Sequence, residues 1–560
     1  MKGKWMQLVM AAALTASLAA CSQNANSGNG ANEQNAAAEG TGNTQNKPDN
    51  AAADADPLAP YEETVTFTLG RQGVAGNNLP AGDTLESNQF LKYVEDKLNI
   101  KVQYDFSVED GEAYKQKVNL AIASSQIPDV MIVDENQYKQ LAEADMLADL
   151  TEAYDKYASP LIKQYYDSYN GRVLDAVKRD GKMLALPDTN IAGNNQLLWV
   201  RGDWLKTLDL QAPSTLDEVA AVAKAFKEQD PDRNGAADTV GLLGDPNLAT
   251  DGAFFTFDPI FAAYGAYPGY WLKDESGAVV NGSIAPEMKD ALGKLREMYA
   301  AGLIDEEFVT RKWNDNAAQV ASGKAGILFA PWFAGWMLSD SVKNDAKADW
   351  IALTAPLDES GKRNLAVSKP SGQYLVVRKG FEHPEAIVKT LSVQYEGLRL
   401  KDPAAAELYK GLGVSWLNWP LNLQLNNENT VYEGYLRLKS AVEAKDSASL
   451  PADQVPTYDS IVKNLENPKQ DIAAYANYLA YYVGGSEVGS DKLNRIEPVF
   501  YGQTETMAKK GTNLTKLENE TFLKIITGNA PLDSFDDFVA QWKKQGGDEI
   551  TQEVQQEAGQ

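Results

Sequence analysis

The chain has 560 residues, a net charge of −26, one cysteine (Cys21) and one histidine (His383). That length has room for about three domains, and 44% hydrophobic with 23% charged residues is a globular make-up, which excludes a disordered acidic chain and a polytopic membrane protein. One cysteine excludes a disulfide framework, one histidine leaves no Cys/His metal or nucleophile pair, and the acidic balance argues against nucleic acid as the partner.

Residues 1–20 have the pattern of a signal peptide: Lys2 and Lys4 give a positive start, and Met6–Ala20 is an apolar core too short to span a bilayer. Leu18-Ala19-Ala20-Cys21 resembles the bacterial lipobox, where a cysteine thiol receives a diacylglycerol and small residues before it fit the peptidase. Cys21 is therefore expected to be lipidated, which supplies the two or more acyl chains that stable anchoring requires. An ordinary signal peptide with a chance cysteine is the alternative. Residues 21–60 contain no aromatic residue and one leucine, Leu58, so they cannot bury enough apolar surface to fold. They are expected to act as a flexible tether spanning about 35 Å r.m.s..

From Tyr61 the pattern changes. VTFTLGR alternates like a strand, NQFLKYVEDKLN (88–99) has helical spacing, and IKVQYDFS (100–107) reads as a strand. EAYKQKVNLAIASS (112–125) is helical, IPDVMIVD (127–134) a short buried strand, and NQYKQLAEADML (136–147) helical again. Strands alternating with helices of this length predict an α/β sheet that is largely parallel. GKMLALP (181–187) and NQLLWVRGDWL (195–205) read as further strands. STLDEVAAVAKAFKEQ (214–229) is a helix with Thr215 and Glu218 as a capping box. KAGILFAPWFAGWML (324–338) is an apolar strand broken by Pro331, and SFDDFVAQWKKQGG (534–547) a helix closed by Gly546-Gly547.

The stretch LWVRGDWLKTLDLQAPSTLDEVAAVAKAFKEQDPDRNGAADTVGL (198–242) resembles a hallmark segment of extracellular solute-binding lipoproteins of ABC importers, the carbohydrate-binding type of Gram-positive soil bacteria. IFAAYGAYPGYW (260–271), GKAGILFAPWFAGW (323–336) and residues 523–554 are similar to further segments of that family. The resemblance implies a two-lobed, periplasmic-binding-protein-like (type II) α/β fold with crossover hinge strands. It places lobe one at 61–188 and 323–395 and lobe two at 189–322 and 396–560, with hinges near 188, 323 and 395. It implies a monomer on the extracellular face of the cell membrane that takes a carbohydrate ligand and docks on ABC permease subunits.

Asp230, Asp232, Asn234, the Ala236 carbonyl and Asp238 match the positions of an EF-hand calcium loop, with Gly235 at its turn. Alternate residues of such a turn aim oxygens inward, and Ca²⁺ is a hard cation that takes six to eight of them. Position 12 is Gly241 rather than glutamate. By spacing alone a structural Ca²⁺ and an ion-free acidic turn are equally open, and the resemblance favours Ca²⁺. No cofactor is required for chemistry.

Sugars offer C–H faces to aromatic rings and hydroxyl edges to amides and carboxylates, and ligands of α/β sheets sit beyond the carboxyl ends of strands. On those grounds Trp332 and Trp336 are expected ligand contacts, with Trp271, Trp416 and Trp419 as further aromatic candidates. Core packing is the alternative for each. Asp134, at the end of a strand, and Asn190 and Asn194, in the turn DTNIAGNN, are polar candidates; Asp134 is equally placed to cap a helix. No G-x-S-x-G, H-E-x-x-H or Walker motif occurs, so no catalytic role is expected. The other function classes are a secreted carbohydrate-active enzyme and a sugar-sensing module for a membrane kinase.

Overall fold

The chain builds its first sheet from βα units in which each helix start is fixed by a side chain. Strand β1 (Val65–Gln72) leads to helix α1 (Gln89–Leu98), where Asn88 accepts from the Phe90 and Leu91 amides. Strand β2 (Ile100–Val108) leads to α2 (Gly111–Ala123), capped by Asp110. Strand β3 (Val130–Asp134) leads to α3 (Glu135–Glu143), where Asp134 and Gln137 form a capping box. The remaining principal elements are β4 (Leu186–Pro187), β5 (Leu197–Arg201), α4 (Leu216–Glu228), α5 (Asp258–Ala263), β6 (Ile327–Ala330), β7 (Trp350–Leu353), β8 (Arg363–Ala366), β9 (Gln373–Val377), α6 (Pro384–Leu398), α7 (Thr430–Ala444), β10 (Leu493–Ile496), α8 (Glu505–Ile526) and α9 (Ser534–Trp542). These come from a computed structural model, which describes residues 56–558 apart from 74–78, 80–81, 192–195, 251, 275, 399–401, 409–417 and 452–453. The signal peptide, Cys21 and almost all of the tether lie outside the described residues. Among the described residues no helix is long and apolar enough to cross a membrane.

Two bodies result. The first carries a five-stranded sheet in the order β2-β1-β3-β9-β4, with β1 parallel to β2 and β3, and β9 antiparallel to β3 in the register Gln373↔Asp134. Its core joins Phe67, Leu69, Val94 and Met131 to Leu375, Leu391, Trp419 and Leu425. The second carries a three-stranded sheet, β6-β5-β7, antiparallel throughout. Strands β5 and β6 are buried on both faces, and β7 on one, with Ile351 and Leu353 half-buried on the other. Leu198 and Val200 of β5 pack with Trp204, Phe226 and Phe329, while Trp199 points the other way among Leu328, Trp332 and Leu479. A parallel ribbon of β8 and β10, in the register Arg363↔Leu493, lies beside the crossovers.

The two-lobed α/β architecture is the expected one, and the first crossing follows β4, which ends at Pro187 in the first sheet, and precedes β5, which begins at Leu197 in the second. The other two crossings are not at 323 and 395. Strand β6 pairs with β5 in the register Ile327↔Val200, so the segment from 323 to β8 lies with the second body, and the second crossing runs over 367–372. Leu421, Leu423 and Leu425 pack in the first core, so 418–425 belongs there and the third crossing is at 426–429. Within 195–205 the strand ends at Arg201: the Gly202 amide donates to the Asp349 carbonyl at 2.7 Å and a helix begins.

Candidate functional site

Between the bodies lies a cleft of about 950 Å³. Its first wall is Asp134 at the end of β3, Glu135 and Asn136 at the start of α3, and Lys369 and Gly372 of the second crossover. The opposite wall is Tyr501, Gly502 and Gln503, then the face of α8 that carries Ala508, Gly511, Thr512, Thr515 and Asn519. Residues three and four apart share a helix face, so this run of small and polar side chains forms one continuous strip. A Cβ added at Gly511 would meet nothing within 4 Å, so the strip leaves open space there.

The cleft is lined by polar side chains set among small and apolar ones, and its acids are committed. Asp134 caps α3 through the Gln137 amide at 2.9 Å and pairs with Lys115 at 3.1 Å. Glu135 is paired with Lys369 and with Lys139, the latter at 3.1 Å. Lys139 also donates to the Gln503 carbonyl at 2.9 Å, joining the two walls. The Tyr501 hydroxyl donates to the Val367 carbonyl at 3.1 Å, and burial, then the neighbouring Glu497, hold its pKa above the ordinary tyrosine value. Both cleft carboxylates stand side by side on one wall. Glycoside hydrolysis needs two carboxyl groups flanking the scissile bond, and no acid lines the α8 wall among the described residues. The geometry suits holding a polyhydroxylated ligand through amides, hydroxyls and ammonium groups.

The structure brings one expected ligand residue, Asp134, into this cleft, and it fills the helix-cap role as well. Asn190 lies in the first crossover, where its amide donates to the Pro370 carbonyl at 2.7 Å and its side chain to the Lys369 carbonyl at 3.2 Å; it ties two crossovers together. Trp332 is 1% exposed and Trp419 1%, and Trp271 is buried against Trp542 at 6.3 Å. Trp419 sits edge-on to Phe90 at 5.4 Å and Tyr93 at 5.3 Å in the first core. These three are core residues rather than ligand contacts: each ring is enclosed by other rings or aliphatic chains. Trp336 is half-buried, with Nε1 donating to Asn477 Oδ1 at 3.0 Å. Trp416 and Asn194 lie outside the described residues. The α8 strip was missed because it contains no aromatic residue. Its signal was the helical spacing of Ala508, Thr512, Thr515 and Asn519.

In the acidic loop, Asn234 Nδ2 donates to Asp232 at 2.9 Å and to Asp238 at 3.0 Å, while the Asn234 and Gly235 amides donate to Asp230 at 3.1 and 3.0 Å. Burial, then Asp230 and Asp238, push the Asp232 carboxyl up. Lys324 approaches Asp238 at 3.5 Å. The donors are all hard oxygens, as Ca²⁺ requires. They close around the Asn234 amide, and among the described residues no three His, Cys, Asp or Glu side chains surround a common point. A cation could enter only if that amide turned away.

Residues 76–393 match the family described as bacterial extracellular solute-binding protein. The chain is 25% identical over 456 residues to lipoprotein LipO of Bacillus subtilis (strain 168), covering 79% of this chain and 83% of that protein. It is 23% identical over 446 residues to the polygalacturonan/rhamnogalacturonan-binding protein YtcQ of the same organism, covering 79% and 82%. The fold is similar to that of the Streptococcus pneumoniae ABC-transporter substrate binding protein FusA in complex with kestose, with a TM-score of 0.56 at 19% identity over 88% of this chain and 99% of that one.

Proposed function

Because this chain belongs to the bacterial extracellular solute-binding proteins, we propose that it captures an oligosaccharide in the cleft between its bodies and delivers it unchanged to an ABC permease by closing around it. The observation that carries this is the cleft of about 950 Å³ with polar walls contributed by both bodies. The name of the relative YtcQ supports a carbohydrate as the guest. Closure is a population shift: a ligand held by both walls favours the closed form by its differential affinity for it. A lipidated Cys21 and the tether behind it would keep the protein, as a monomer, on the extracellular face of the cell membrane; the relative named a lipoprotein supports the anchor.

Calorimetry over a panel of oligosaccharides should find one that binds, and the same ligand should lower the radius of gyration measured by small-angle scattering. Chromatography should return that ligand intact; cleavage would overturn the proposal in favour of an enzyme. Gly511→Trp should abolish binding by filling the cleft. It should not lower the melting temperature, because the site is open and replacing a mid-helix glycine favours the helix.

We also assign Ca²⁺ to the loop of Asp230, Asp232, Asn234, Ala236 and Asp238, as a structural ion at the end of α4. Its hard oxygen donors and the mutual repulsion around Asp232 support this. Calcium at a hundredfold excess over Kd should stabilise the protein by about 2.7 kcal/mol, reversed by chelator and absent in Asp232→Ala. A melting curve indifferent to calcium would remove the assignment.

A further inference from the structure

The charges of the cleft bear on what kind of sugar it takes. Among the described residues that line it, four are charged, Asp134, Glu135, Lys369 and Lys516, and they sum to zero in a chain whose net charge is −26. Each has an opposite partner within the protein. Asp134 meets Lys115 at 3.1 Å, and Lys516 meets Glu520 at 3.9 Å. Glu135 is shared by two lysines, with Oε2 paired to Lys369 of the second crossover and Oε1 to Lys139 at 3.1 Å. No described charge of the lining is left for the guest to answer.

Glu135 is the centre of this arrangement, because it stands where the two walls meet. A Cβ added at Gly502 on the opposite wall would lie 3.4 Å from Glu135 Oε1. Lys139 is not part of the lining: its Nζ is held between Glu135 and the Gln503 carbonyl, the latter at 2.9 Å. The Glu135 side chain is 18% exposed, and closure of the walls would bury it further. As water leaves such a site, an unanswered charge becomes more costly.

A carboxylate on the guest would either lie beside Asp134 and Glu135 or have to take Lys369 away from Glu135. The first sets like charges together, and the second strips a partner from a half-buried acid, which costs more than the pair is worth. A hydroxyl demands neither, since it accepts from an ammonium and donates to a carboxylate while the pair stays closed. Resting on the reading of this cleft as a sugar site, we propose that its guest is an uncharged oligosaccharide, and that Glu135 turns acidic sugars away by holding the Lys369 ammonium.

Calorimetry should compare tetrasaccharide pairs of the same linkage that differ only by oxidation at the primary hydroxyl: mannotetraose with tetramannuronate, cellotetraose with tetraglucuronate, and galactotetraose with tetragalacturonate. In a pair that binds the wild type, the neutral member should bind at least about a hundredfold tighter. Its affinity should change by less than about twofold between about 20 and 300 mM sodium chloride. In Glu135→Gln the gap should shrink to about tenfold or less, and the affinity for the uronate should fall as salt rises. A uronate that binds the wild type as tightly as its neutral partner overturns the proposal and leaves the sugar reading intact. An unchanged gap in Glu135→Gln overturns the role of Glu135. Binding of no member of any pair overturns the sugar reading and this proposal with it. Should Glu135→Gln fail to fold, the wild-type gap and its salt dependence decide.

Discussion

Trp332→Ala should destabilise the second body by about 3–5 kcal/mol while leaving the ligand affinity of the folded protein unchanged. The indole is enclosed by Phe333 at 5.5 Å, Trp336 at 6.0 Å and Tyr481 at 5.2 Å. The backbone behind it is equally tight, since a Cβ at Gly484 would lie 2.3 Å from the Trp332 carbonyl oxygen. Such a wall cannot collapse to fill the space of a lost indole, which places the cost in the upper part of the range for large-to-small changes. Trp332→Phe should cost much less, because it keeps most of the ring and removes a buried Nε1 that has no hydrogen-bond partner among the described residues. Denaturation followed by circular dichroism gives the stability and calorimetry the affinity. A loss of affinity with stability intact would return Trp332 to the ligand site.

Arg201→Met should cost about 3–5 kcal/mol for a different reason. Arg201, the last residue of β5, is fully buried and forks onto Asp203, with Nε to Oδ1 at 2.7 Å and Nη2 to Oδ2 at 2.6 Å, while Nη2 also reaches Asp345 at 2.6 Å. The guanidinium lies over the Trp204 ring at 4.6 Å. Burial works against its charge, but the two carboxylates outweigh that and raise its pKa. Removing it leaves Asp203 and Asp345 facing each other beside an apolar core. Arg201→Met combined with Asp203→Asn should recover part of the loss. Equal stability of the single and double variants would show that repulsion between the acids is not the cause.

The local elements were legible in the sequence because their signals are local. The capping pair Thr215 and Glu218 and the buried stripe of Leu216, Val219, Val222 and Phe226 appear in α4 as the spacing predicts. Crossings between bodies carry no such signal. The strand Ile-Leu-Phe-Ala at 327–330 is buried on both faces, so its pattern is the same in either sheet, and its partner Val200 is far away in the chain. The cleft was half legible. Asp134, expected from its place at a strand end, lines the cleft, whereas three of the tryptophans expected as sugar platforms are packed inside. An aromatic inventory counts rings without knowing which face water. The strip on α8 was visible only to a reading that asks what small residues at helical spacing leave room for.

The topology of the first sheet has a consequence for truncated chains. Strand β3 takes β9 as its outer neighbour, and β9 begins about 240 residues further along the chain. An apolar, unpaired edge is a template for joining other chains. Fragments of the chain that end before β9 should therefore be found in aggregates rather than as folded pieces.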